Sequence, residues 1–268
     1  MGELVFVGLG LFDESDVSLR GLEDVKTADY VFAEFYTSLM AGLSIKKLEE
    51  KIGKKITIVT RKTLEEENGE SILRKAETSK VAFLVAGDPM IATTHVDIRI
   101  RAQKRGIRTR VVHGASIVSA AMGASGLQNY RFGRSVTVAY PEGGAASETP
   151  YNVVAENKTR NLHTLCFLDV KAEKNQFMSV KEALEILLST EKKKQQHAVT
   201  VDSLAVGLAR VGALDEVVKA DTIKALLGFD FGGPPHILIL PAPKLHFMEA
   251  EALIYLSGAP QRINEMVE

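Results

Sequence analysis

The chain has 268 residues, 46% hydrophobic and 25% charged, with 33 basic against 34 acidic side chains and a formal net charge of −1. That length suits one large or two modest globular domains whose core needs no staples. The near-neutral balance leaves no electrostatic footprint for nucleic acid or an anionic membrane. Cys166 is the only cysteine, so no intrachain disulfide can form, and within "TLCFLDV" it reads as a small buried hydrophobe in preference to a nucleophile. The opening "MGELVFVGLG" carries Glu3 and lacks a basic region and a long apolar core, so it does not read as a signal peptide. No apolar run approaches the ~18 residues of a membrane span. A cytoplasmic protein is expected.

In chain order, the first half alternates short apolar runs with amphipathic stretches. Strands are expected at 4–8, 30–33, 56–59, 81–86 and 109–112, and helices at 18–28, 44–51, 69–78 and 94–106. The strand runs are nearly continuous, without polar alternation, as in parallel strands covered on both faces. Such alternation implies βαβ units and an open α/β sheet. The pattern changes after "VVHGAS". A small-residue helix is expected at 115–124, then strands at 135–140, 164–168, 198–201, 205–209 and 236–240, with helices at 180–188 and 247–256. The run "EGGAASET" (142–149) reads as a mobile loop, and "DSL" reads as the turn of an antiparallel hairpin between 198–201 and 205–209. "EKKKQQ" (191–196) reads as the solvated end of a helix. The expected organisation is an N-terminal open, mainly parallel α/β domain over 1–113 and a C-terminal mixed α/β domain over 114–268.

Three expected strand ends carry chemistry. "VAFLVAGDPMIATTH" ends its strand on Gly87-Asp88-Pro89. In open α/β sheets ligands bind outside the carboxyl ends of strands. Gly87 lets the chain turn sharply, Asp88 offers acceptor oxygens and Pro89 fixes the exit direction. The same residues also read as an Asp-Pro turn without a ligand. "VGLGLFDESD" ends on Gly8-Leu9-Gly10, but Asp13 stands where a dinucleotide loop has its third glycine. A carboxylate beside a pyrophosphate would be repelled, so NAD or FAD binding by this loop is rejected. "VVHGASI" supplies small residues against which an aromatic or ribosyl group could lie. His113, His163, His197 and His246 show no metal-ligand spacing, and no metal site is expected.

Taken together, these strand ends resemble the tetrapyrrole-methylase superfamily of S-adenosylmethionine-dependent methyltransferases. "DYVFAEFYTSLMAG", "GDPMIATTH", "VAYPEG", "LHTLCFLDVKAEK", "LARVG" and "PPHILILPAPKLHFMEAEAL" follow in order over essentially the whole chain and are similar to its diphthamide branch. The G-x-G-P-G-D loop typical of the tetrapyrrole-modifying relatives is replaced by Gly8-Leu9-Gly10-Leu11-Phe12-Asp13, which disfavours a tetrapyrrole substrate. The resemblance implies a two-domain α/β fold with the cofactor in the cleft between domains. It implies three successive methyl transfers from S-adenosylmethionine to the amino group of 2-(3-amino-3-carboxypropyl)-histidine on translation elongation factor 2, and a homodimer. By carry-over of matching positions, Leu11, Asp88, Ile91, Ser116, Ile117, Leu168, Ala209 and His236 are expected to touch the cofactor. Ordinary core packing is the competing reading for the apolar ones.

No catalytic base is assigned. His95, Glu34 and Tyr36 are candidates near expected strand ends, against a structural role for each. "EFYTSLMAG" (34–42) reads either as a surface for the protein substrate or a second subunit, or as a buried link. Two other readings stay open: a small-molecule methyltransferase on the same fold, and a cofactor-binding interaction protein without turnover.

Overall fold

A computed structural model describes residues 2–141 and 143–268, and the chain divides into two compact units. One runs to Ile117 and includes Ala172–Lys174; the other comprises Val118–Lys171 and Asn175–Glu268.

In the first unit, β1 (Glu3–Gly8), β2 (Tyr30–Glu34), β3 (Thr57–Ile58), β4 (Lys80–Val85) and β5 (Arg108–Val112) form a wholly parallel sheet of order β3-β2-β4-β1-β5. Helices α1 (Leu19–Thr27), α2 (Ile45–Ile52), α3 (Glu70–Ala76) and α4 (His95–Lys104) connect the strands. Side chains alternate across a strand. Leu4, Phe6, Val81 and Phe83 therefore enter one core with Leu73 and Ile98 of α3 and α4. Val5, Val7, Ala82 and Leu84 enter another with Val25 and Leu48 of α1 and α2. Covering on both faces is why the strand sequences read as unbroken apolar runs.

Helix α5 (Ile117–Ser125) leads into a mixed sheet in the second unit. Its chain order is β6 (Val136–Val138), α6 (Thr149–Thr159), β7 (Thr164–Leu168), the small β8 (Val170–Lys171) and β9 (Gln176–Phe177) pair, α7 (Val180–Lys194), β10 (Leu204–Ala209), β11 (Val217–Thr222), α8 (Ile223–Leu226), β12 (His236–Leu240) and α9 (Phe247–Ser257). The sheet order is β11-β10-β12-β7-β6, parallel between β6 and β7 and antiparallel elsewhere. Tyr151, Leu184, Cys166 and Leu238 lie in its core.

Several expectations are corrected. Residues 198–201 are not a strand; the hairpin joins β10 to β11 instead. Side chains take the backbone groups of 197–199: Glu191 accepts from the His197 and Val199 N–H at 2.8 and 2.9 Å, and the Lys158 ammonium donates to the Ala198 carbonyl at 2.6 Å. Of the loop expected over 142–149, Glu142 lies outside the described residues, and Thr149 already opens α6. The 34–42 stretch is buried at Glu34, Tyr36 and Met40, half-buried at most other positions and exposed at Ala41. Tyr36 is 7% exposed and packs in one core of the first unit, and Met40 at 6% packs in the other. Among the described residues no helix is long and apolar enough to cross a membrane.

Candidate functional site

The carboxyl edge of the parallel sheet is drawn together by backbone. Gly10 and Gly87 form an antiparallel bridge, with the Gly87 N–H donating to the Gly10 carbonyl at 2.7 Å. Gly87 adopts φ +71°, which an L side chain rarely takes, and turns the chain out of β4 into Asp88. The ends of β1 and β5 approach so closely that a Cβ on Gly8 would stand 2.5 Å from the Gly114 nitrogen.

Five of the expected cofactor residues lie past three adjacent strand ends. Leu11 follows β1, Asp88 and Ile91 follow β4, and Ser116 and Ile117 follow β5. Leu11 and Ile117 are half-buried and Ile91 is 45% exposed, so the edge offers apolar surface. The Leu11 N–H donates to Asp16 Oδ2 at 3.0 Å, which holds the turn after β1. Asp88 is 8% exposed; its Oδ1 accepts the Met90 N–H at 2.9 Å and its Oδ2 faces His113 Nδ1 at 2.7 Å. His113, read in the sequence only for its lack of metal-ligand spacing, is the partner of Asp88. It follows β5, and only the sheet order, with β1 between β4 and β5, brings it to Asp88.

The other three expected residues share one end of the second unit's sheet. Ala209 pairs directly with His236 across β10 and β12, and Phe167 pairs with Ile237, so Leu168 ends the neighbouring strand at the same level. The His236 ring is committed to backbone: Nδ1 accepts the Val180 N–H at 3.3 Å, and Nε2 lies 3.2 and 3.1 Å from the Gly232 and Gly233 carbonyls, to which its proton points. Burial lowers its pKa, so the ring is a neutral structural brace. Beside Leu168 stands a polar group absent from the expected set. Tyr140, its N–H bonded to Asp169 Oδ2 at 3.0 Å, has its hydroxyl pushed up to about 12 by burial and the nearby Glu182 carboxylate.

The base candidates at the first unit's edge are deeply buried: Glu34 is 0%, His95 1% and Tyr36 7% exposed. Burial raises the Glu34 and Tyr36 pKa values and pushes His95 down to about 4. A base that meets a side chain of another protein needs exposure, and these groups lack it.

The first edge suits a sulfonium nucleoside. It combines half-exposed apolar side chains with a carboxylate whose oxygens, each holding one partner, keep a further lone pair for a hydroxyl or ammonium donor. Among the described residues, no three His, Cys, Asp or Glu side chains are grouped to hold a metal ion.

Residues 3–226 match the family of tetrapyrrole (corrin/porphyrin) methylases, and the chain belongs to that family. It is 50% identical over 270 residues to a diphthine synthase of Methanosarcina mazei, covering 99% of this chain and 100% of that protein. It is 45% identical over 255 residues to a diphthine synthase of Methanocaldococcus jannaschii, covering 94% and 98%. A crystal structure of diphthine synthase matches with a TM-score of 0.90 and 42% identity, over 99% of this chain and 100% of that one. That end-to-end identity sets the chain in the diphthine synthase branch, the methyltransferases of diphthamide biosynthesis.

Proposed function

We propose that the protein transfers three methyl groups in succession from S-adenosylmethionine to the amino nitrogen of 2-(3-amino-3-carboxypropyl)-histidine on translation elongation factor 2. The observation that carries this reading is the roughly half identity with diphthine synthases along the whole of both chains. The donor supplies a methyl group on a sulfonium, activated for in-line displacement. The donor is held by Leu11, Asp88, Ile91, Ser116 and Ile117 at the carboxyl edge of the parallel sheet. Leu11, Ile91 and Ile117 supply apolar contact for adenine and the sulfonium, and Asp88 accepts from the ribose or the aminoacyl ammonium.

Such a displacement needs no covalent enzyme intermediate. The protein's contribution is alignment of nitrogen and methyl carbon. The attacking nitrogen must be neutral, so a proton leaves before each transfer that starts from an ammonium. The protein acts in the cytoplasm as a homodimer.

Mass spectrometry of elongation factor 2 carrying the aminocarboxypropyl-histidine, after incubation with this protein and S-adenosylmethionine, tests the reading. Three methyl-sized increments on that residue are expected. No increment, with cofactor binding established separately, would direct the search to another acceptor or to a protein without turnover.

A further inference from the structure

Glu34 and His95 are two buried titratable groups that the proposed transfer leaves without a part. Glu34 closes β2, and His95 opens α4 just after the turn that carries Asp88 and Ile91. The His95 ring is set by contacts on two sides. Its Nδ1 lies 3.3 Å from the Pro89 carbonyl, which only accepts, so Nδ1 carries a proton. The Phe83 and His95 rings stand nearly perpendicular at a centroid distance of 5.2 Å. The neutral ring then directs the Nε2 lone pair at Glu34 Oε1, 3.5 Å away, at the outer limit of a hydrogen bond. Nε2 has no hydrogen-bond partner among the described residues, and side-chain exposures of 1% and 0% leave no room for bulk water. Two lone pairs facing each other in such a medium repel, so the arrangement needs a proton between them.

We infer that one proton, carried by the Glu34 carboxyl group, bridges Oε1 to His95 Nε2, and that this bridge is a positioning device tying the end of β2 to the turn that presents Asp88 and Ile91. The remaining groups around the carboxyl are compatible with it. The Tyr36 and Thr37 N–H groups donate to Oε2 at 3.1 and 3.2 Å, and the Thr37 hydroxyl donates to a lone pair of Oε1 at 2.5 Å; these bonds lower the Glu34 pKa, and burial raises it more. Arg61, which stands over the Tyr36 ring at 5.3 Å, acts on Glu34 through space and lowers its pKa, but less than burial raises it. Burial moves both partners toward their neutral forms. A methyl transfer in which cofactor contacts come from this turn makes the bridge a determinant of cofactor affinity, so the functional half of the inference rests on the reading above.

The test joins two measurements. Nitrogen NMR of the ligand-free protein, with His95 assigned by difference against His95→Phe, reads the tautomer. Calorimetry reads S-adenosylmethionine affinity in Glu34→Gln and Glu34→Ala. The expected result is a neutral Nδ1–H ring from about pH 6 to 8. Glu34→Gln, whose amide N–H replaces the bridging donor, should bind within about twofold of the parent, and Glu34→Ala about tenfold more weakly. An imidazolium, an Nε2–H tautomer, or Glu34→Ala binding as tightly as the parent would overturn the inference. A parent protein that binds no S-adenosylmethionine would instead overturn the proposed function, and the NMR result would still decide the bridge.

Discussion

Glu249 with His163, in the second unit, and Glu34 with His95, in the first, are the same pair of side chains at the same depth, no member more than 1% exposed. They are built in opposite senses, and the second nitrogen of each histidine is the reason. His163 Nδ1 accepts the Ala242 N–H at 2.9 Å, so its proton sits on Nε2 and points at Glu249 Oε1, 3.0 Å away. His95 Nδ1 faces a carbonyl, so its Nε2 faces the carboxyl group as a lone pair. Glu249 also takes the Gln128 N–H, the His246 N–H and the Arg131 guanidinium, each at 3.0 Å. Burial pushes its pKa up, but His163 and the Gln128 and His246 N–H groups outweigh burial and hold it at about 2. At Glu34 burial prevails. The backbone neighbour of each ring, N–H in one unit and C=O in the other, sets which face the histidine turns to its glutamate, and the further donors around Glu249 keep that carboxylate ionised.

Breaking the anionic pair should have the largest effect. Glu249→Ala strands a buried histidine proton and two backbone donors and takes one of two carboxylates from Arg131, which keeps Glu268 at 3.0 Å; it is expected to cost about 3–5 kcal/mol in urea unfolding. Cys166, whose thiol is fully buried and pushed up to about 12, reports the second unit's core directly. Its labelling by a thiol reagent should be slow in the parent and markedly faster in Glu249→Ala. Unchanged labelling would mean that the network is not holding that core.

The two pairs also predict opposite slopes with pH. The Glu249 pKa is depressed in the folded protein, so its contribution is fully present above the ordinary value of 4.5 and is lost as pH falls toward about 2. The shift is worth about 3 kcal/mol as an upper figure. The Glu34 pKa is raised, so its contribution is present below 4.5 and is lost as pH rises through the folded value. Urea midpoints against pH should therefore fall more gently on the acid side in Glu249→Gln than in the parent. In Glu34→Gln they should stop declining on the rising side. Identical profiles for parent and both variants would show that neither glutamate is linked to folding.

Which parts of this were legible in the sequence follows from which interactions are local. "LVFVG" and "VAFLVA" announced central strands because both faces are covered, so burial alone marks them. β11 was missed because "VVKADT" is a half-buried edge strand whose apolar signal is diluted by Lys219, Asp221 and Thr222. α6 was missed because Pro150, Asn152 and Thr159 weaken the helical pattern of a segment entered from a glycine- and alanine-rich run. "AVTV" at 198–201 has every local property of a strand, but its backbone is satisfied by Glu191 and Lys158 from elsewhere. The candidate site divides the same way. Gly87-Asp88 was readable as a strand end. The Asp88–His113 pair requires the strand order, and the tautomers of His95 and His163 require knowing whether a carbonyl or an N–H lies behind each ring.

An intermediate effect comes from the close approach of the strand ends. Gly8→Ala places a Cβ 2.5 Å from both the Gly114 nitrogen and the Gly87 carbonyl. A stability loss of about 1–3 kcal/mol is expected, with weaker S-adenosylmethionine binding because the edge must spread. Full stability in a melt would show that the backbone relaxes there at little cost.

The smallest expected effect sharpens the comparison from the exposed side. In Asp88 and His113 a carboxylate again meets an imidazole, at 2.7 Å, but the histidine side chain is 72% exposed and water can replace it. His113→Ala should therefore cost under about 1 kcal/mol of stability. It also separates two ways in which Asp88 can serve the proposed cofactor. If the carboxylate accepts from the ligand itself, removing His113 leaves an acceptor in place, and affinity should change by no more than about threefold. Asp88→Ala then weakens binding further than His113→Ala, by about tenfold. If Asp88 served only to hold His113, the two variants would lose affinity equally. Calorimetry on both, with melting curves to set aside unfolding, distinguishes a carboxylate that meets the ligand from one that merely orients a neighbour.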